Sequence, residues 1–248
     1  MPTPFYHLCL ASDLLSAGNL PPLLRREWPA FCFGNIAPDA QTVSGQTRVA
    51  THFFEVPMRD HAPAWHEMFR QFPLLARPAG LPEAQAAFLT GYLCHLVLDQ
   101  LWIADIFTPT FGEEAGWGTF RDRLFLHNVL RIYLDRIDLP RLPDHTGQML
   151  KQAQSNGWLP FIADAPLHQW RDFVAEQLAE GAASQTVAVF AARMSLTPTD
   201  FESLLQSPTA MQAQIFDRLP LSLLAEFRLR GLDRSRQVIA DYLANWKD

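Results

Sequence analysis

The chain has 248 residues, 48% of them hydrophobic, and a formal net charge of −6. That is enough apolar material for a sizeable core in one domain spanning residues 1–248. The mild acidity and the lack of any Lys/Arg run argue against stable nucleic-acid binding, though not against an enzyme that acts briefly on phosphodiesters.

Cys9, Cys32 and Cys94 are odd in number, widely spaced and set among apolar residues. They read as small buried hydrophobes in a reducing compartment rather than a disulfide framework. The N-terminus lacks a basic start and a small-residue cleavage site, so it is a poor signal peptide. No apolar run approaches the roughly 20 uninterrupted residues that span a bilayer, so no transmembrane segment is expected. These features predict a soluble, cytoplasmic protein.

In chain order, Phe5–Ala17 is the first predicted helix, with Tyr6, Cys9, Leu10 and Leu14 at helical spacing and His7 in its first turn. Gly18-Asn19 ends it. The next helix is Leu23–Phe33, with Pro29 a possible kink. Gly34-Asn35-Ile36-Ala37-Pro38-Asp39 has turn composition and delivers Asp39 in a loop, and Ala40–Val49 reads as irregular. His52 follows in Thr51-His52-Phe53-Phe54. Asp60–Phe72 is helical, with Trp65, Met68, Phe69 and Phe72 on one side, and Pro73–Pro82 is a connection.

Ala86–Ile106 reads as one long helix, apolar on nearly every side and therefore interior. It carries His95 and Asp99 four residues apart, on one face and one turn apart. A carboxylate in such surroundings is costly unless paired, and a metal ion can take the imidazole and the carboxylate together. Thr108–Gly118 is a Gly-containing loop, and Thr119–Ile137 is helical until Pro140 and Pro143. Beyond His145 the pattern stays helical: Gly147–Gln154, Leu167–Glu180, Ser184–Met194, Thr199–Gln206 behind an N-terminal signal at Thr197–Asp200, and Leu221–Trp246 with a break near Gly231. No alternating strand of five or more residues and no repeat is visible. The fold class is all-α: a multi-helical domain around a buried central helix, with helices 145–248 for packing or as a lid.

Singly, a His near an apolar segment is more often a hydrogen-bonded core residue than a ligand. As a set, His7, Asp39, His52, His95 and Asp99 supply hard and borderline N/O ligands from several elements. The order of these parts resembles the zinc-dependent phospholipase C family, whose all-α fold is shared with single-strand-specific zinc nucleases. The shared pattern is an early His on the first helix, the loop G-N-I-A-P-D with Asp39, His52 in T-H-F-F, and G-Y-L-C-H-L-V-L-D around His95 and Asp99. The resemblance covers roughly Phe5 to Asp135.

The resemblance implies that Asp39, His52, His95 and Asp99 form one zinc site, and that His7 with a bridging Asp99 forms part of a second. Asp39 is implied as the general base. At the third site of the family this chain departs, with Asp105 six residues after Asp99 and with Arg131, not Glu, four residues after His127. Asp105 and His127 would hold a metal between them. Alternatively Arg131 would replace it with a fixed positive charge, pairing with Asp105 or gripping a substrate phosphate. One or two zinc ions are expected rather than three. Tyr6, Phe53, Phe54 and Trp102 either wall an apolar substrate pocket or pack the core, and residues 42–47 are a candidate pocket rim. His61 and His66 read as solvated or packing residues, and His145 and His168, in loop or helix-start contexts, read as exposed.

The implied activity is metal-dependent phosphoester hydrolysis on a small-molecule or phospholipid-type substrate. A nuclease of the same fold and a non-catalytic metal-binding module are the competing readings.

Overall fold

A computed structural model describes residues 1–18, 20–59, 62–244 and 246. His61, Asp60 and Asn19 lie outside the described residues. Among those described there is no strand, and the all-α class holds.

Helix α1 (Pro4–Ser16) opens at Thr3, whose hydroxyl accepts the Tyr6 N–H, with Pro4 in the first turn where its missing donor costs nothing. The predicted Leu23–Phe33 helix is two helices, α2 (Pro22–Arg26) and α3 (Trp28–Ile36), broken at Glu27. A Pro inside a continuous helix would clash with the carbonyl four residues back, so Pro29 starts a new helix instead of kinking one. Helix α3 then runs straight through Gly34, where a turn was expected. A tight 3-10 turn at Ala37–Ala40 carries Asp39. The stretch expected to be irregular holds two short helices, α4 (Gln41–Ser44) and α5 (Arg48–His52), and α6 spans Ala64–Gln71.

Gly34 is a close-approach glycine. A Cβ there would lie 1.9 Å from the Phe88 carbonyl oxygen, and one on Gly91 would lie 2.1 Å from the Phe31 oxygen. These two glycines let α3 cross the central helix α7 (Glu83–Trp102) backbone to backbone. Helix α7 continues as a wider π turn at Ile103–Phe107 and then α8 (Thr108–Phe111). The loop predicted from Thr108 therefore begins at Gly112. The apolar stretch Glu83–Phe111 is long enough to cross a membrane by length and composition, contrary to the sequence expectation. Its most apolar window is 89% buried within the fold, as in the core helix of a globular protein.

Helix α9 (Phe120–Asp138) is capped by Thr119 and Asp122, which satisfy each other's backbone N–H groups. After it come α10 (Thr146–Leu150), α11 (Asp164–Glu176), α12 (Thr186–Met194), α13 (Pro198–Leu205), α14 (Pro208–Met211) and α15 (Leu221–Leu243). Helix α15 is unbroken at Gly231, which instead makes room for Leu98. Two apolar clusters share α7: one gathers Leu93 and Leu96 with α3 and α11, the other Leu98 and Trp102 with α9 and α12–α15. His95 and Asp99 fall where the two meet. The C-terminal half reaches the site directly, because α11 packs on the Asp39 turn and Trp170 Nε1 donates to the Ile36 carbonyl at 2.8 Å.

Candidate metal centre

His95 and Asp99 project from one face of α7, as their spacing requires, and both are wholly buried. The α3–α7 crossing puts the Asn35 carbonyl 2.7 Å from His95 Nδ1. That carbonyl takes the ring proton and leaves Nε2 as a lone pair facing inward. His52, buried at the end of α5, has its Nδ1 3.0 Å from Thr51 Oγ1 and 3.3 Å from the Arg48 carbonyl. Its Nε2 therefore also faces the centre, 3.3 Å from His95 Nε2. Two imidazole nitrogens this close suit a shared cation better than a hydrogen bond, since neither ring has a proton to give on that side.

Asp99 presents its two oxygens to different partners. Oδ2 faces His52 Nε2 at 3.4 Å and His95 Nε2 at 3.6 Å, whereas Oδ1 faces His7 Nε2 at 3.4 Å. Asp39 comes in from its turn with Oδ1 3.6 Å from His52 Nε2. His7, on α1, stacks on His95 with ring centroids 3.9 Å apart and planes 8° from parallel. Both His7 nitrogens and Asp99 Oδ1 are buried with no hydrogen-bond partner. Buried polar atoms are nearly always paired, so these orphans mark where a ligand belongs.

Two groups of donors have the mutual spacing of metal ligands: His7, His95 and Asp99, and Asp39, His52 and His95. They overlap at His95, which has only Nε2 to offer and one lone pair on it. A single ion can therefore take Asp39, His52, His95 and Asp99 Oδ2, leaving His7 and Asp99 Oδ1 for a second ion with Asp99 as the bridge. The donors are imidazole nitrogens and carboxylate oxygens in a number and type that fit zinc.

The electrostatics agree with a cation-seeking centre. Burial and the neighbouring His95 push His7 down to about 4, so it is a neutral donor at ordinary pH. Burial pushes the Asp39 carboxyl up, but the neighbouring His52 and His95 outweigh it and hold it at about 2. Burial pushes the Asp99 carboxyl up, but the neighbouring His95, His52 and His7 outweigh it and hold it well below the usual carboxylate range.

Arg48, which sequence reasoning passed over, also belongs here. Its Nη2 lies 2.6 Å from Asp99 Oδ2, and its guanidinium stacks over the Phe54 ring at 4.5 Å. The available hint was its position four residues before His52 on what proves to be one short helix.

Asp105 and His127 do not join the cluster. Asp105 pairs with Arg230 at 3.1 Å, drawn outward by a residue on α15. His127 accepts the Trp102 indole N–H on Nε2 at 2.9 Å and sits among Phe107 and Phe111, with burial holding it neutral. The expected Arg131–Asp105 pair is absent as well. Arg131 donates to Asn128 at 3.1 Å, stacks on Phe190 at 4.2 Å, and lines a cavity of about 140 Å³ whose wall also includes Asp39. Trp102 is wholly buried packing. Phe53 packs on Phe72 and Phe161 and borders a surface groove of about 410 Å³, and Phe54 and His66 line the same groove. In residues 42–47, Thr42 does reach the Asp39 cavity. His145 is exposed, while His168 is half-buried and bonded to Ser155 at 3.0 Å.

Three buried imidazoles, buried Asp99 and partly buried Asp39, brought together by crossing helices, make a cluster in an all-α fold that could hold a metal ion. Residues 6–102 match the model of the family described as zinc dependent phospholipase C, so this segment is similar to that family. The match holds all five clustered residues and ends before Asp105, His127 and Arg131, where this chain departs from the family pattern. Comparison with curated proteins and with solved structures gave no match.

Proposed function

We propose that this chain is a zinc-dependent phosphoester hydrolase of phospholipase C type, acting on a phospholipid-like or small-molecule diester. The observation that carries the reading is Asp99, which turns one oxygen to His52 and His95 and the other to His7. Asp39, His52, His95 and Asp99 would hold one ion, and His7 with Asp99 a second. Bound there, zinc lowers the pKa of coordinated water to about 7 and acts as a Lewis acid toward a phosphoryl oxygen.

The chain's own groups do the rest. Asp39 is ionised at any working pH and reaches the cavity, so it can orient an attacking water and accept its proton. Arg131 lines that cavity and can donate to a phosphoryl oxygen. Phe5, Trp170, Phe173 and Phe190 give the cavity apolar walls beside these two groups. The net charge of −6 supports a small or lipid-like diester over a polynucleotide.

The test pairs elemental analysis with turnover of a generic phosphodiester, for the native protein and for His95→Ala. Roughly one to two equivalents of zinc are expected in the native protein from the ligand count, with much less metal and no turnover in the variant. Zinc binding with no turnover on any diester would leave a metal-binding module in place of an enzyme.

A further inference from the structure

We propose that the cavity beside Asp39 is a subsite for a second anionic group, so that the substrate is a phosphoester bearing another acidic function and not an ammonium group. The inference rests on the hydrolase reading above and names the substrate class that the site would take.

Two guanidiniums, Arg131 and Arg193, line this cavity, and its one acidic wall residue is Asp39, which belongs to the metal centre. Among the described residues no carboxylate lies within ion-pair distance of either guanidinium. Arg131 is the more constrained of the two. Asn128 fixes one nitrogen, Phe190 covers its face, and its Nε is buried without a partner. Asp135 and Asp39 offset part of the Arg131 charge, but with Asp39 committed to the metal centre the two guanidiniums still favour an anionic ligand on this wall. Arg193, exposed at the cavity's edge, is placed to meet a group that extends outward from the phosphate.

The competing occupant is an ammonium group, a cation that aromatic faces attract. Of the four rings on the wall, Phe5, Trp170, Phe173 and Phe190, three are already engaged. Phe190 carries the Arg131 guanidinium, and Trp170 stacks on Phe173 at 5.6 Å while donating its N–H to Ile36. A cavity of about 140 Å³ holds roughly five water volumes at about 30 Å³ each, which suits a carboxylate or phosphate.

The test is calorimetric titration of zinc-loaded protein with two phosphate monoesters of equal length, 2-phosphoglycolate and phosphoethanolamine. The first should bind about tenfold tighter or better, the size of one charge-assisted contact. Arg193→Ala should bring the two affinities together, and Arg193→Lys should restore part of the difference. Equal affinities in the native protein, tighter phosphoethanolamine binding, or an unchanged preference in Arg193→Ala would each overturn the proposal. Turnover of bis(4-nitrophenyl) phosphate separates the two readings. A preference for the anion without turnover removes the hydrolase and keeps the subsite, and turnover without the preference does the reverse.

Discussion

Arg48 Nη2 rests 2.6 Å from Asp99 Oδ2, the same oxygen that faces His52 and His95. A fixed positive charge thus already sits on a carboxylate that zinc would use. Two unit charges a few ångströms apart repel by several kcal/mol at an effective dielectric of about 20, before relaxation. Arg48→Met keeps a stem to pack on Phe54 and removes that charge. Zinc affinity measured by competition with a chelating dye should rise on the order of tenfold. In protein stripped of metal the same variant should lose about 2–3 kcal/mol, because a buried carboxylate loses its cation. A fall in zinc affinity would mean that Arg48 chiefly orients Asp99.

The Gly34–Gly91 crossing sets the distance between the Asn35 carbonyl and His95 Nδ1. On Gly91 a methyl would meet backbone, with the Phe31 oxygen at 2.1 Å and the Asn35 nitrogen at 2.9 Å, and backbone cannot step aside as a side chain can. Gly91→Ala should cost about 3 kcal/mol or more in denaturant unfolding and lower zinc affinity about tenfold by freeing the His95 ring. Gly231→Ala is the control. Its methyl would crowd the tip of Leu98, at 2.8 Å, and touch the Leu10 methyls at an ordinary 3.8 Å, so about 1 kcal/mol or less is expected. Equal losses at the two positions would show that the crossing has no special tightness.

What the sequence made legible, and what it hid, follows from range. His95 and Asp99 lie four apart on an apolar helix, so periodicity alone puts them on one buried face. Asp39 and His52 had only residue type and a family pattern to single them out, because a loop's direction depends on the helices it joins. Gly34 looked like a turn glycine, since composition cannot distinguish a bend from a close crossing. Asp105 and His127 had the right chemistry, but their partners are set by Arg230 on the last helix and by an indole one helix away. Arg193, more than 150 residues after Asp39, is beyond the reach of any local pattern.

His127 gives the sharpest test of how far the metal centre extends. Its Nε2 is occupied by the Trp102 N–H, and three aromatic rings surround it. His127→Gln should keep the full metal content in elemental analysis and lose about 1–3 kcal/mol of stability from a disturbed buried hydrogen bond. His7→Ala should do the opposite to the metal, lowering content or affinity, because His7 faces the otherwise orphaned Asp99 Oδ1. Loss of metal from His127→Gln would restore a third site to the picture.

Asp135 couples the start of the chain to α12 and gives the fold a pH dependence of known sign. Its carboxylate accepts hydrogen bonds from the Thr3 and Thr186 hydroxyls, which belong to two segments lining the Asp39 cavity. Burial pushes it up to about 7, against the lowering effect of those two hydroxyls and Arg131. In the unfolded chain the group ionises near its ordinary value of 3.8, so between that value and about 7 the folded state binds the extra proton. The stabilising contribution is complete below the unfolded value and is lost as pH rises through the folded one, amounting to roughly 4 kcal/mol across the window. Asp135→Asn keeps an acceptor for one threonine and a donor for the other, and it cannot ionise. Urea unfolding from pH 5 to pH 8 should therefore show native stability falling more steeply than that of Asp135→Asn, with the variant gaining relative to the native protein at the alkaline end. Parallel curves across that range would mean that Asp135 stays ionised in the fold and that the two threonines hold a carboxylate.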